Sequence, residues 1–98
     1  MPHIRLTARA RADLERLHAF LAKVDPAIAQ RAINTIIDSF STLEKMPLVG
    51  SPVVDRKGLR QLALDFGDTG YTALYSLSER TDTLQVLAIK HQKENDYK

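Results

Sequence analysis

The first half of the chain carries apolar residues at helical spacing in two stretches. Thr7 and Asp25 are preferred N-cap residues, and Pro26 suits the first position of a helix. Pro47 ends the second stretch, because the residue before a proline is pushed out of the helical region. The pattern predicts two helices joined by a turn around Val24 and Asp25, which pack antiparallel as a helical hairpin. Their apolar stripes are Ala10, Leu14, Leu17, Leu21 and Val24, then Ala29, Ile33, Ile36, Phe40 and Leu43.

The remainder of the chain follows strand patterns. Ile4 and Leu6 form a brief alternation, and the segment 47–58 shows no period and is predicted to be a loop. Three further strands are predicted at 59–66, 71–77 and 84–89, separated by turn-rich intervals. The last is a continuous apolar run, typical of a central strand covered on both sides. We predict an α+β fold in the order β-α-α-β-β-β, with the hairpin on one face of a mostly antiparallel four-stranded sheet.

Tyr71 and Tyr75 fall on the same face of the strand 71–77. Aromatic residues with polar tips suit the boundary between a core and water. We interpret both as packing residues, and stacking on a ligand or partner is the alternative.

Composition narrows the chemistry that the protein can perform. Its 98 residues predict a single domain, 1–98. There is no cysteine, which excludes disulfides and thiolate chemistry, and the three histidines lack the spacing of a metal site, so no metal and no cofactor are expected. The sequence shows neither the apolar core of a signal peptide nor a membrane span, and a cytoplasmic protein without a membrane partner is expected.

Charge and motifs leave the partner open. The net charge is +2, with basic residues grouped near the start and in the middle of the chain, at Arg5, Arg9, Arg11, Arg16, Arg56, Lys57 and Arg60. This balance permits a nucleic acid or an acidic protein as a partner and requires neither. Glycine-rich phosphate loops, nucleophile elbows and paired carboxylates at a useful spacing are missing from the sequence.

The polar tail after the last strand brings together groups that could form a working site. Lys90, His91, Lys93 and Tyr97 supply ammonium, imidazole and phenol groups. A buried strand fixes where such side chains start, which favours a functional site. A solvated, frayed terminus is the alternative.

A set of landmarks, taken in chain order, covers nearly the whole sequence: Leu6-Thr7, Ala12-Asp13-Leu14, Pro26 with Ala29, Leu43, Pro47 and Gly50, Gly58-Leu59-Arg60, Tyr71 with Leu74-Tyr75, and Val86 to His91. In this order they resemble the toxins of bacterial type II toxin–antitoxin pairs, in the ParE/RelE superfamily. The resemblance implies a growth-arresting toxin that is neutralised by a cognate antitoxin protein, with operator DNA contacted only through that antitoxin.

The two branches of this superfamily act differently. The ParE branch poisons DNA gyrase without being a nuclease, whereas the RelE branch cuts messenger RNA on the ribosome. Similarity to the RelE branch implies Arg60, His91, Lys93 and Tyr97 as catalytic residues, with Arg60 clamping the phosphate. The residues expected to contact the target are Arg56, Lys57, Arg60, Lys90, His91 and Lys93.

Two features favour the ParE branch. The helical hairpin is long, and Glu94 and Asp96 nearly cancel the charge of Lys93 and Lys98 in the tail. The alternatives are a ribosome-dependent endoribonuclease acting on messenger RNA, and a non-toxic binding or regulatory domain on the same fold.

Each named site residue also has a structural alternative. Arg60 could pair with Asp65 or Asp55, His91 could cap the sheet edge, and Tyr97 could pack back on a helix.

Overall fold

The computed structural model describes residues 2–66 and 69–91. Within these ranges lie two helices and five strands, and the strands form one sheet in the order β1-β5-β4-β3-β2. β1 runs parallel to β5, and the other three pairings are antiparallel. The elements are β1 (His3–Leu6), α1 (Ala8–Ala22), α2 (Pro26–Lys45), β2 (Ser51–Pro52), β3 (Leu59–Phe66), β4 (Thr69–Ser78) and β5 (Thr83–His91).

The predicted α+β class and order of helices are confirmed, but the described part of the sheet has five strands rather than four. The additional strand, β2, lies in the segment predicted to be a loop, where Ser51 and Pro52 pair with Gln61 and Arg60 of β3. A strand of two residues has no period for a sequence pattern to reveal. Neither helix in the described ranges has the length and apolar character that crossing a bilayer requires.

Both predicted helix starts are confirmed. The Thr7 hydroxyl accepts a hydrogen bond from the Ala10 N–H at 3.1 Å, and an Asp25 carboxylate oxygen accepts one from the Ala27 N–H at 2.9 Å. The first apolar stripe was predicted one position too long. Because α1 ends at Ala22, Val24 lies in the turn between the helices and is 79% exposed.

The core lies between the helical hairpin and one face of the sheet. The helices contribute Ala10, Leu17, Ala32, Ile36 and Leu43, and the sheet contributes Tyr71, Tyr75, Leu84, Val86 and Ile89. The packing role predicted for Tyr71 and Tyr75 is confirmed, since neither side chain is exposed. Both lie inside the core rather than at the expected boundary with water.

A bulge explains the continuous apolar run of β5. Tyr75 pairs with Val86 while Leu74 pairs with Ala88, so Leu87 has no partner on β4. The extra residue shifts the alternation and brings Ile89 onto the core face with Val86. β5 lies between β1 and β4, and Ala88 on its other face is also buried, which confirms a covered, central strand.

Candidate functional site

Helix α1 fixes the part of β5 that leads into the predicted site. The pairing with β1 ends at Val86, and beyond that point the side chains of Thr7 and Asp13 form hydrogen bonds with the backbone of β5. The Thr7 hydroxyl donates to the Leu87 carbonyl oxygen at 3.0 Å, and the Ile89 N–H donates to Asp13 Oδ2 at 2.9 Å. The start of the tail therefore has a defined position relative to α1.

Asp13 is a residue whose role the sequence did not reveal. Its position on the helix suggests only a solvated charge near Arg16, three residues on. That ion pair is present at 3.6 Å, and Arg9 lies 3.9 Å from the other carboxylate oxygen. The carboxylate is also largely buried, with its side chain 13% exposed, because it accepts the hydrogen bond from β5. No local pattern identifies a contact between residues that are 76 positions apart.

His91 ends β5 and lies opposite Tyr71 of β4. The two rings meet edge to face, with centroids 5.4 Å apart and planes at 81°. The Tyr71 hydroxyl is buried and has no hydrogen-bond partner within residues 2–66 and 69–91, and burial raises the pKa of this phenol. Lys90 lies opposite Thr72 and is buried on the other face of the strand. Lys90 and His91, both predicted to contact the target, therefore lie on opposite faces of β5.

Arg60 holds a loop. It pairs across the sheet with Tyr75, and its Nη1 donates to the carbonyl oxygens of Gly50 at 2.7 Å and Leu48 at 3.3 Å. The Tyr75 hydroxyl donates to the Pro47 carbonyl oxygen at 2.8 Å and accepts from the Gly50 N–H at 2.9 Å. The sequence suggested Asp65 or Asp55 as a structural partner of Arg60. In the described structure its hydrogen bonds go to backbone carbonyls instead.

Gly50 is required where this loop crosses the sheet. A Cβ at this position would lie 2.6 Å from the Tyr75 hydroxyl and 2.7 Å from the Gln61 carbonyl oxygen. A glycine permits this close approach of one backbone to another. The segment from Pro47 to Gly50 is therefore tied to the sheet at several points.

The structure does not bring Arg60 and His91 together. Arg60 pairs with Tyr75, and His91 pairs with Tyr71 four residues further along β4. This offset is roughly 13 Å along the strands, and the two strand spacings between β3 and β5 add roughly 10 Å, so the Cα atoms lie about 16 Å apart.

Arg56 and Lys57 are exposed in the turn that precedes β3. The Val53 N–H donates to the Leu59 carbonyl oxygen at 2.9 Å, and the Leu59 N–H donates to the Arg56 carbonyl oxygen at 3.1 Å. The predicted contact residues therefore occupy separate places: the turn, the loop anchor and the end of β5. Lys93 and Tyr97 lie outside the described residues.

A shallow apolar recess of about 290 Å³ opens between the two helices. It is lined by Leu14, Glu15 and His18 of α1 and by Ile33 of α2. Phe20 and Ile37 on the same helices are 64% and 48% exposed. The hairpin therefore presents apolar side chains to solvent as well as to the core.

The chain therefore folds as a hairpin of two helices packed on one face of a mostly antiparallel sheet. The family described as the ParE toxin of the type II toxin–antitoxin system, parDE, matches residues 4–96. Toxin RelE3 of Caulobacter vibrioides is 30% identical over 94 residues, which cover 96% of this chain and 98% of the relative. The chain belongs to the ParE toxin family, within the ParE/RelE superfamily of type II toxins.

Solved structures share the fold. The chromosomal ParDE system from P. aeruginosa superposes with a TM-score of 0.74 at 22% identity, covering 93% of this chain and 96% of that one. The RelBE2 toxin–antitoxin complex from Mycobacterium tuberculosis gives a TM-score of 0.62 at 27% identity, covering 94% of this chain and all of that one. Structural similarity thus extends to proteins named for both branches.

Proposed function

We propose that this toxin arrests bacterial growth by binding and poisoning DNA gyrase, and that a cognate antitoxin neutralises it. The match to the ParE toxin family over residues 4–96 carries the proposal. In the ParE branch the damage follows from a stabilised complex with the target, so the toxin needs a binding surface and no catalytic centre of its own.

The arrangement of the predicted site residues supports a binding mechanism. Metal-free cleavage of RNA needs an acid, a base and a cation within about 3 Å of one reacting phosphate group. Arg60 and His91 are separated across the sheet, and the Arg60 guanidinium donates to Leu48 and Gly50. Within the described residues, these two do not form a catalytic cluster.

A ribosome-dependent endoribonuclease is the second candidate. It is favoured by the 30% identity to a relative named Toxin RelE3 and by the shared fold of the RelBE2 complex. In that case His91 and Lys93, with Tyr97, would act on the messenger RNA.

The antitoxin site that we propose is the apolar surface of the helical hairpin. The recess formed by Leu14, His18 and Ile33 is open to solvent, and Ile37, one turn after Ile33 on α2, is also exposed. An amphipathic segment laid on this surface would bury these side chains. The ParDE and RelBE2 structures are named as a toxin–antitoxin system and complex, which supports a partner of this kind.

The mechanism is tested with purified toxin in two assays at matched concentrations. One measures gyrase supercoiling and gyrase-dependent DNA breaks, and the other measures messenger RNA cleavage on ribosomes. We expect DNA breaks with intact messenger RNA. Cleavage of messenger RNA together with unaffected supercoiling would replace the gyrase mechanism with the nuclease.

Toxicity and neutralisation are tested in cells. Induction of the gene alone should stop growth, and co-expression of the adjacent small gene should restore it. Normal growth after induction, with soluble toxin present, would favour the non-toxic binding or regulatory domain.

A further inference from the structure

The segment that links α2 to β3 exposes an unusual amount of apolar surface. Met46, Leu48, Val49 and Val54 are 53%, 59%, 43% and 83% exposed, and they fall within nine residues. Exposed aliphatic groups concentrated in this way are typical of protein interaction sites. We call these four residues, together with Arg56 and Lys57, the loop platform.

The loop platform is held rigidly from below. Arg60 and Tyr75 bond to the backbone between Pro47 and Gly50, and the Val49 N–H closes a turn onto the Met46 carbonyl oxygen at 3.0 Å. Its second half is fixed by β2 and by the turn before β3. A surface that is already ordered loses little conformational entropy on binding, which favours affinity.

The loop platform is small enough for one partner to cover it. The apolar residues run from Met46 to Val54, eight positions apart, and a fully extended chain of that length spans at most about 29 Å. A standard interface buries about 800 Å² on each partner, which corresponds to a patch about 30 Å across. The apolar groups and the neighbouring cations therefore fit within a single interface.

Charge indicates which kind of partner fits. Residues 44–60 hold four basic and two acidic side chains, whereas the rest of the chain holds ten of each, so the net charge of +2 resides in this segment. Arg60 is directed to the loop carbonyls, so the exposed charges beside the apolar groups are Arg56, Lys57 and the carboxylate of Asp55, which together carry a net charge of +1. An apolar centre with a basic rim complements an acidic protein surface that carries an apolar recess.

A nucleic acid fits the loop platform less well. Proteins bind nucleic acids mainly through phosphate contacts from basic and polar groups. Four aliphatic side chains in the centre of the surface would lose their exposure without gaining an apolar counterpart.

We propose that the loop platform is the surface through which this toxin binds its protein target, at an acidic face with an apolar recess. The identity of that target as gyrase rests on the proposed function, but the location and chemistry of the surface do not. The contact is then centred on Leu48 and Val54, and Arg60 acts as a positioning residue beneath them.

The test compares two valines of nearly equal exposure. Val54→Asp and Leu48→Asp alter the loop platform, whereas Val24→Asp alters the turn between the helices, where Val24 is 79% exposed. We expect the two loop platform variants to bind purified gyrase at least tenfold more weakly and to lose growth arrest, with melting temperatures unchanged. The Val24 variant should match the native toxin in all three measurements.

A second pair of variants tests the basic rim. Arg56→Glu with Lys57→Glu should slow association with gyrase tenfold or more at low salt, and the difference should shrink as salt is added. Lys23→Glu, an exposed cation on the helical hairpin, is the control and should leave the association rate within twofold.

The possible outcomes distinguish an error in the proposed surface from an error in the proposed target. Native growth arrest and gyrase affinity in the loop platform variants would overturn the surface while leaving the gyrase mechanism intact. If the native toxin does not bind gyrase but the loop platform variants still lose growth arrest, the target changes and the surface stands. Growth arrest that follows RNase-sensitive binding to ribosomes would overturn the assignment of a protein partner. If aspartate prevents folding, Val54→Ser serves in its place.

Discussion

Arg60 and Tyr75 lie directly opposite each other on β3 and β4, and both reach over the sheet to the same loop. The guanidinium donates to the Gly50 carbonyl oxygen, and the Tyr75 hydroxyl accepts from the Gly50 N–H and donates to Pro47. A residue predicted to clamp a phosphate thus lies beside one predicted to pack. Together they determine the conformation of the segment that carries the proposed target surface.

Replacing Tyr75 with phenylalanine should destabilise the protein. The change removes the partner of the Gly50 N–H and of the Pro47 carbonyl, and leaving such groups unsatisfied costs about 1–3 kcal/mol. The free energy of unfolding, measured in urea, should fall by that amount. An unchanged midpoint would show that water replaces the hydroxyl at no cost.

The matched substitution at Tyr71 should behave differently. Its hydroxyl is buried without a hydrogen-bond partner in the described structure, so Tyr71→Phe removes a polar atom that gains nothing in the folded state. We expect urea stability to be equal to or greater than that of the native protein. A loss as large as that for Tyr75→Phe would mean that the Tyr71 hydroxyl has a partner.

The raised pKa of Tyr71 predicts a dependence of stability on alkaline pH. Burial disfavours the phenolate, so the folded protein ionises this group at higher pH than the unfolded chain, where the value is near 10.0. The contribution to stability is therefore fully present below pH 10.0 and is lost as the pH rises through the folded pKa. Urea midpoints measured from pH 8 upward should fall less steeply in Tyr71→Phe than in the native protein.

Gly50→Ala should be more disruptive than Gly58→Ala. At Gly50 the added methyl would meet both the Tyr75 hydroxyl and a backbone oxygen, and overpacking of this kind costs about 1–3 kcal/mol. At Gly58 there is open space, but φ is +83°, which costs an alanine about 1–2 kcal/mol. Gly50→Ala should also weaken growth arrest beyond its effect on stability, because it displaces the loop platform. A loss of growth arrest that only follows the loss of folded protein in both variants would argue against that coupling.

Asp13→Ala should loosen β5. The Ile89 N–H would lose its acceptor, with an expected loss of about 1–3 kcal/mol in the free energy of unfolding. Glu15→Ala, an exposed acidic residue two positions away, is the control and should change it by less than about 0.5 kcal/mol. Faster amide hydrogen exchange at Ile89 in the Asp13 variant would locate the effect.

The substitution His91→Ala tests whether His91 is a contact residue or a catalytic one. For a gyrase poison, the variant should lose no more than the roughly 1–3 kcal/mol of one binding contact, measured as gyrase affinity. For a nuclease, messenger RNA cleavage should slow by orders of magnitude while ribosome binding is retained. We expect the first result, with growth arrest weakened but present.

Local sequence signals account for most of the fold. Thr7, Asp25 and Pro26 fix the helix starts because caps act through neighbours a few residues away, and the apolar stripes fix which helix faces are buried. The hairpin and the antiparallel strands follow from short connections. The order of landmarks also identified the superfamily, since it is a property of the chain itself.

Only the tertiary structure decided what the charged and apolar side chains do. The bulge at Leu87 and the bond from Ile89 to Asp13 depend on register and on a helix that is distant in sequence. Arg60 could not be assigned to the loop from its own neighbours, because its acceptors at Leu48 and Gly50 lie beside it only when the segment after α2 folds back and β2 pairs with β3. Exposure likewise depends on packing. Val24 and Val54 are exposed, although valine is a residue type that sequence patterns assign to the core.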